Sequence, residues 1–303
     1  MDSALPTQGG KGHLPLRGFM TELKRRMDLW GKVQNFPEGE VLPKFLHDQK
    51  IYGGAQGIYV DKNKTELLTP DGAGVTVSVL HTGYYYPDEL SQDGLIYHYP
   101  KTNRPKSRDL NEILATKHTL SLDLPIFVIL KGKRTKLREV KLGWVIDFDD
   151  VTETFLIDYA EKKPHYVEKK ENEPFQLTEK NTGTTTKTKT RPNQRQFRYQ
   201  VMKNYGCKCA VCDVSHPDML EAAHIRPKGD SGSDDWRNGI FLCKNHHSAF
   251  ENRLFGIEPI SMHVIPCDSH DYDRDDLQLE EKVLTTLTGK HPHQDALTWK
   301  WKK

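Results

Sequence analysis

No apolar run in this 303-residue chain approaches the roughly 20 residues that a helix needs to cross a bilayer. A helical membrane protein is therefore not expected. The opening "MDSALPTQGGKGHLPLRG" also lacks the apolar stretch of a secretory signal, so export is not expected and the cytoplasm is the default compartment. Cysteine is scarce, five residues in all, and three of them crowd at Cys207, Cys209 and Cys212. That distribution fits metal ligands in a reducing compartment better than a disulfide framework. Neither sign of charge dominates: 44 Lys and Arg against 42 Asp and Glu leave a net +2, which by itself says little about partners. No internal repeat is visible.

What is present is unevenly distributed. The length allows two domains, each with a core of ordinary size. "GFMTELKRRMDLWGKV" predicts an amphipathic helix with Phe19, Leu23, Met27 and Trp30 on one face and Lys24, Arg25 and Arg26 on the other. From about Val41 to Tyr159, short β-prone runs ("GIYVD", "GVTVSVL", "LIYHY", "PIFVIL", "KLGWVIDF", "TFLID") are cut by Gly, Pro and Asp. They predict a curved sheet or partial barrel. It is interrupted by one helix at "SRDLNEILATKHTLS", with Leu110, Ile113 and Leu114 on one side.

The segment 166–195 has few large apolar residues and is expected to be a flexible linker between a domain over 1–165 and another over 196–303. Its basic residues continue from Lys180 to Lys208 with no acid between them. Two readings stand for that run, a phosphate-contacting strip and a solvated linker. "QFRYQVMKNYG" restarts order as a helix, and "LQLEEKVLTTLTG" reads as a last helix before a basic tail ending "TWKWKK".

The densest chemistry lies in "CAVCDVSHPDMLEAAHIRPKGDSGSDDWRNGIFLCKNHHSAF". Cys209-x-x-Cys212 and Cys243-x-x-His246 are two clips of the kind that close a tetrahedral structural Zn²⁺ site, while Cys207 and Cys267 fit neither. On a helix His246 and His247 point about 100° apart, so one can face the zinc only if the other faces away. Glu251, one turn beyond His247, makes a carboxylate–imidazole pair suited to a second, catalytic divalent ion. "LEAAHI" and "NGIFL" read as strands and "CKNHHSAFENR" as a helix.

This β-β-α order, with its "CxxC … AAHI-P … NGxxLCxxHHxxF" pattern, resembles the zinc-stapled HNH nucleases over roughly Arg195 to Gly256. The resemblance implies a ββα-metal fold. In it His224 is the general base for water, Asn238 orients that base, and His247 ligates Mg²⁺, Mn²⁺ or a similar ion at the scissile phosphate. Ala223 departs from relatives that carry a further ligand there, which leaves Glu251, water and the phosphate to complete the shell.

The first domain resembles SRA (SET- and RING-associated, PUA-like) domains in the order of "IYGGAQGIYVDK", "GVTVSVLHTGYYYPDELSQDGLIYHYP", "RDLNEILATKHTLSLDLPIFVIL" and "GWVIDFDD". It departs in carrying tyrosines where that family repeats acids. The resemblance implies a pocket for a flipped 5-methyl- or 5-hydroxymethylcytosine. Tyr84 and Tyr97 would stack on the base, and Asp88, with one residue inserted in the turn, would accept from its amino group. Tyrosine in a strand is also ordinary core packing, and for Tyr97 both readings stand. Taken together, the chain reads as an α+β, modification-dependent DNA endonuclease acting on double-stranded DNA, as a homodimer if both strands are cut. The alternatives are a DNA reader without cleavage and an HNH nuclease of repair, recombination or a mobile element.

Overall fold

The computed structural model describes residues 14–54, 57–81, 83, 88–166, 168, 170–179, 192–267, 277–279 and 282–303. Its elements run α1 (Leu14–Gln34), β1 (Glu40–Val41), α2 (Pro43–Asp48), β2 (Ile58–Val60), α3 (Lys62–Thr65), β3 (Thr76–His81), β4 (Glu89–Leu90) and β5 (Gly94–His98). Then follow α4 (Lys106–Ser121), β6 (Pro125–Lys131), β7 (Arg138–Asp149), β8 (Thr154–Tyr159), α5 (Pro192–Tyr205), β9 (Leu220–His224), β10 (Gly239–Cys243) and α6 (Lys244–Glu251). β11 (Phe255–Ile257), β12 (His263–Pro266), β13 (Lys282–Val283) and α7 (Gln294–Trp301) complete the chain. Two compact units emerge: Met1–Asp88 with Tyr97–Phe148 and Phe155–Pro164, and Glu89–Ile96 with Asp149–Thr154 and His165–Lys303. The fold is α+β, with a strand-rich sheet and a ββα element. Among the described residues no helix is long and apolar enough to cross a membrane.

The strands of the first unit belong to an eight-stranded sheet in the order β2-β3-β6-β7-β8-β5-β4, with β1 on β7. β3 and β6 run parallel, joined by a connection that contains α4, and such a pair is covered on both faces. The unbroken apolar run of β6, and the burial of Thr76 through Val79 in β3, fit that position. Val77, Phe127 and Ile129 pack with Leu29 and Val33 of α1 and Leu46 of α2. Facing α4, the Thr76 hydroxyl meets that of Thr116 at 2.8 Å, and the Thr76 amide donates to Thr119 Oγ1 at 2.8 Å.

Two helix faces differ from expectation, for the same reason. In α1 the inner face is Glu22, Arg26, Leu29 and Val33, while Met27 is exposed. Arg26 is fully buried because it closes the ends of two strands, donating to the carbonyls of Thr76 at 2.8 Å and Pro125 at 2.6 Å and pairing with Glu22 at 2.7 Å. Burial works against its charge, and the Glu22 carboxylate offsets part of that effect. In α4 the buried residues are Asp109, Glu112, Ala115, Thr116 and Thr119, and Leu110 is exposed. Arg104 binds both acids, at 2.7 and 2.8 Å, so a polar network takes the place where an apolar stripe was expected.

In the second unit β9 and β10 pair antiparallel, with His224 opposite Gly239 and Glu221 opposite Leu242. α6 follows directly, and α5 packs against both strands. A Cβ on Gly239 would lie 2.4 Å from Val201 and 2.8 Å from Phe197, so glycine is what lets α5 approach. The expected last helix is absent from the described part of "LQLEEKVLTTLTG", where Lys282–Val283 instead pairs with β12. Val283, Thr285, Thr286 and Thr288 make the run β-branched, and the Thr285 and Leu287 amides bond to Ala210 and Asn204 rather than along a helix. The tail beyond it supplies α7, capped by His293, which accepts from the Asp295 amide.

Part of the segment expected to be a flexible linker is fastened to this unit. Leu177 and Ser231 carbonyls bond the amides of Ser233 and Glu179, and Arg237 donates to the Glu173 carbonyl at 2.8 Å. Phe175 stacks on His293 at 4.0 Å, an apolar anchor that an averaged polar composition conceals.

Candidate functional site

The cysteine–histidine cluster is built by two turns. Cys209 and Cys212 sit on the knuckle before β9, while Cys243 is the residue before α6 and His246 lies in its first turn. Their four ligand atoms lie within 4.8 Å of one another. A tetrahedral zinc with Zn–S bonds of about 2.3 Å would space its sulfurs about 3.8 Å apart. Cys212 and Cys243 sulfurs are 3.8 Å apart, and His246 Nδ1 lies 3.7 Å from Cys209 and 3.2 Å from Cys243. His246 Nε2 donates to the Leu277 carbonyl at 2.7 Å, which leaves Nδ1 with its lone pair toward the sulfurs. The residues fit the ion.

Burial disfavours every thiolate here, yet His246 and neighbouring amides hold Cys209 down to about 6, while burial and that negative neighbour push Cys212 up to about 12. A bound dication would therefore release protons from the remaining thiols. Cys207, whose thiol burial raises to about 11, and Cys267 lie outside the cluster.

His246 and His247 diverge around α6 as helical spacing requires. His247 is held between two carboxylates, Nδ1 at 2.6 Å from Glu221 on β9 and Nε2 at 3.3 Å from Glu251. The expected pairing with Glu251 is thus joined by a stronger one. Glu221 lies two residues from Ala223, on the same strand face.

At the other end of β9, the His224 ring lies flat on Phe197, 3.8 Å between centroids with 6° between planes. Its Nε2 is 3.0 Å from Asp234 Oδ1, and Lys228 reaches the other oxygen at 2.7 Å. Burial alone would raise the Asp234 carboxyl, but hydrogen bonds from His224 and Lys228 outweigh it and hold it below the usual carboxylate range. An ionised Asp234 accepts a hydrogen bond from Nε2–H, so the lone pair of His224 resides on Nδ1.

Asn238 is wholly buried. Its amide clips the loop after β9: Oδ1 accepts from the Arg226 amide at 3.0 Å, and Nδ2 donates to the carbonyls of Arg226 at 3.1 Å and Ser233 at 3.0 Å. The same loop folds back so tightly that a Cβ on Gly232 would sit 1.8 Å from the Arg226 carbonyl oxygen.

Residues 209–258 match the family described as HNH endonuclease. The match covers the hairpin and helix that carry His224, Asn238 and His247. Among solved structures the chain is similar to one described as "Modification dependent TagI restriction endonuclease", with 17% identity, 86% of this chain and 89% of that one covered, and a TM-score of 0.33. It is also similar to one described as a SUVH5 SRA complex with fully methylated CG DNA, with 21% identity, 42% and 89% coverage, and a TM-score of 0.29. No curated protein matches.

Around the HNH histidines, sequence reasoning overlooked Glu221, Asp234 and Phe197. The run "SDDW" between His224 and Asn238 was the available signal for Asp234. For Glu221 it was the period-two spacing to Ala223. The basic run before the HNH domain is, in its described part, bound internally: Arg195 to Asp93, Arg198 to Glu89, Lys203 to Glu168 and Lys208 to Asp213.

The residues expected to read a base lie in and beside the sheet of the first unit, and only two of them fall among the described residues; Tyr84 lies outside. Asp88 Oδ2 is 2.9 Å from His81 Nδ1, and Oδ1 accepts from the His98 amide at 2.8 Å with His98 Nδ1 at 3.2 Å. Burial opposes its charge, but these bonds together lower its pKa. Tyr97 is 2% exposed, so its side chain packs in the core, which is one of the two readings the sequence left open for it.

Proposed function

We propose that the HNH domain hydrolyses DNA phosphodiesters, with His224 as general base, Asn238 as its positioning residue and His247 as ligand of a catalytic Mg²⁺, Mn²⁺ or similar ion. The observation that carries this reading is the His224–Asp234 pair on the matched segment. Asp234 fixes which nitrogen of His224 can accept a proton from water, Phe197 fixes the plane of the ring, and Asn238 holds the backbone on which both sit. When bound, the divalent ion would stabilise charge developing on the phosphate and the leaving oxygen. His247 and Glu251 would hold it, with Glu221 orienting the imidazole.

The first domain, over 1–165, would direct cutting to double-stranded DNA containing 5-methyl- or 5-hydroxymethylcytosine by flipping that base out of the duplex. Residues 166–195 would tether it to a nuclease domain over 196–303. Structural Zn²⁺ at Cys209, Cys212, Cys243 and His246 would hold the nuclease fold, and a cytoplasmic location would keep those thiols reduced. Because one HNH site cuts one strand, a double-strand break would come from a homodimer. Incubation with plasmids identical except for cytosine modification tests the whole reading: cutting confined to modified plasmid supports it, and equal cutting of all plasmids removes the modified base from it. The burial of Tyr97 favours one other reading, an HNH nuclease whose first domain recognises sequence or structure, and the equal-cutting outcome is the one it expects.

A further inference from the structure

The end of the chain lies outside the matched segment 209–258, and its lysines have no part in the chemistry described above. α7 is anchored by buried Ala296 and Leu297 and by Trp301, whose ring occupies the space above Gly256, where a Cβ would come within 2.9 Å of it. That anchoring fixes where its cations go. Lys303 Nζ lies 4.4 Å above the Trp299 ring, with the Arg226 guanidinium 5.0 Å from the same ring, and Lys300 Nζ lies 4.8 Å above Phe250. Arg253 donates to the Lys303 carbonyl. Arg226 follows His224 by two residues and Arg253 follows Glu251 by two, so these cations border both halves of the nuclease site.

The group holds few direct ion pairs. Among the described residues its one ion pair is Lys303 to Asp230 at 3.0 Å. Lys300 is pushed below its usual range by burial first and then by the neighbouring charges of Arg253 and Lys303, which Glu251 and Asp230 offset only in part. An ordinary solvated helix end would spread its lysines into water; here they rest on aromatic shelves and face one another. Such a cationic edge, contiguous with a site for phosphodiester cleavage, matches a run of phosphates.

We propose that Lys300, Lys303, Arg226 and Arg253 form a phosphate-binding edge that carries the backbone of duplex DNA across the nuclease site. The inference rests on the nuclease reading above and adds to it a surface and its ligand. The test uses the full chain without added divalent ion, titrating an unmodified duplex across a salt series and comparing wild type with Lys300→Gln/Lys303→Gln. Each lost phosphate contact flattens the slope of log affinity against log salt by about 0.9, so the double variant should be shallower by about 1.8. Zinc content and unfolding midpoint should match wild type. Should the half-buried Lys300 prove necessary for folding, Lys303→Glu alone, at the exposed end, should still flatten the slope. An unchanged slope in a folded variant of a protein that cleaves DNA overturns this edge while sparing the nuclease. A wild-type chain that neither binds nor cuts any duplex overturns both.

Discussion

In the HNH segment each candidate catalytic side chain has a partner that fixes it: Asp234 for His224, backbone groups of Arg226 and Ser233 for Asn238, and Glu221 with Glu251 for His247. In the strand-rich unit the two described candidates are not gathered in this way: Asp88 is held by two histidines and Tyr97 packs in the core. The difference follows from what each task demands. Proton transfer and metal ligation require particular residue types at short spacing, and local hydrogen bonds can assemble them on one hairpin and helix. A base pocket requires a shape, which residues far apart in sequence build together and which the arrival of the base itself can alter.

The sharpest break in that comparison comes from removing the metal cluster. Structural zinc sites contribute on the order of 10 kcal/mol or more to folding, so Cys209→Ser or a strong chelator should unfold the second unit and leave the sheet of the first. Elemental analysis should give one zinc per chain for wild type and none for the variant. Limited proteolysis should then release a stable amino-terminal fragment. A variant that keeps its zinc and its second unit intact would refute the structural role of the cluster.

The next largest effect falls on chemistry alone. His224→Ala should lower cleavage by about 10²–10⁴-fold while DNA affinity stays within error, because the fold loses with that ring its stack on Phe197 and its bond to Asp234 and nothing that holds the DNA. Asp234→Asn should reduce cleavage less. It keeps the shape but lets the amide offer a hydrogen to Nε2, which favours the wrong tautomer. Wild-type rates in His224→Ala would remove it from the mechanism.

Much of this site was legible in the sequence because its spacing is dictated by chemistry. The two clips, the divergence of His246 from His247 and the Glu251 pairing all follow from knuckle and helix geometry. Glu221 and Asp234 were not legible. Each reaches its histidine only after β9 pairs with β10 and the loop folds back at Gly232, and a carboxylate in a polar run carries no mark of that. The strands were readable from β-branched runs. The inner faces of α1 and α4 were not, because Arg26, Asp109 and Glu112 are buried by serving strand ends and a local network rather than by being apolar.

Smaller again is the expected effect at Glu221. Removal of a carboxylate that orients a metal-ligating histidine weakens metal affinity by about 10–100-fold, so Glu221→Gln should require correspondingly more Mn²⁺ to reach half-maximal cleavage and should be rescued at saturation. Direct Mn²⁺ binding followed by electron paramagnetic resonance should shift in parallel. If metal affinity is unchanged while turnover falls at saturating ion, Glu221 acts elsewhere in the reaction.

The smallest effect, and the one that most sharpens the contrast, concerns Asp88. Its pKa is lowered in the folded chain, so it contributes stability above the unfolded carboxyl value, near pH 4, and that contribution is lost as pH falls through the lower folded value. Asp88→Asn keeps the shape but replaces one accepting oxygen with a donor facing His81 or His98. Unfolding followed between about pH 3 and 7 should therefore show a shallower acid limb, with a loss of roughly 1–3 kcal/mol at neutral pH. If the carboxylate also accepts from the amino group of an extruded cytosine, discrimination between modified and unmodified duplex should disappear in the same variant, while weak salt-sensitive binding persists. The two readouts separate the roles. Loss of the acid limb with discrimination intact would make Asp88 a brace for His81 and His98, and base recognition would then have to come from other residues.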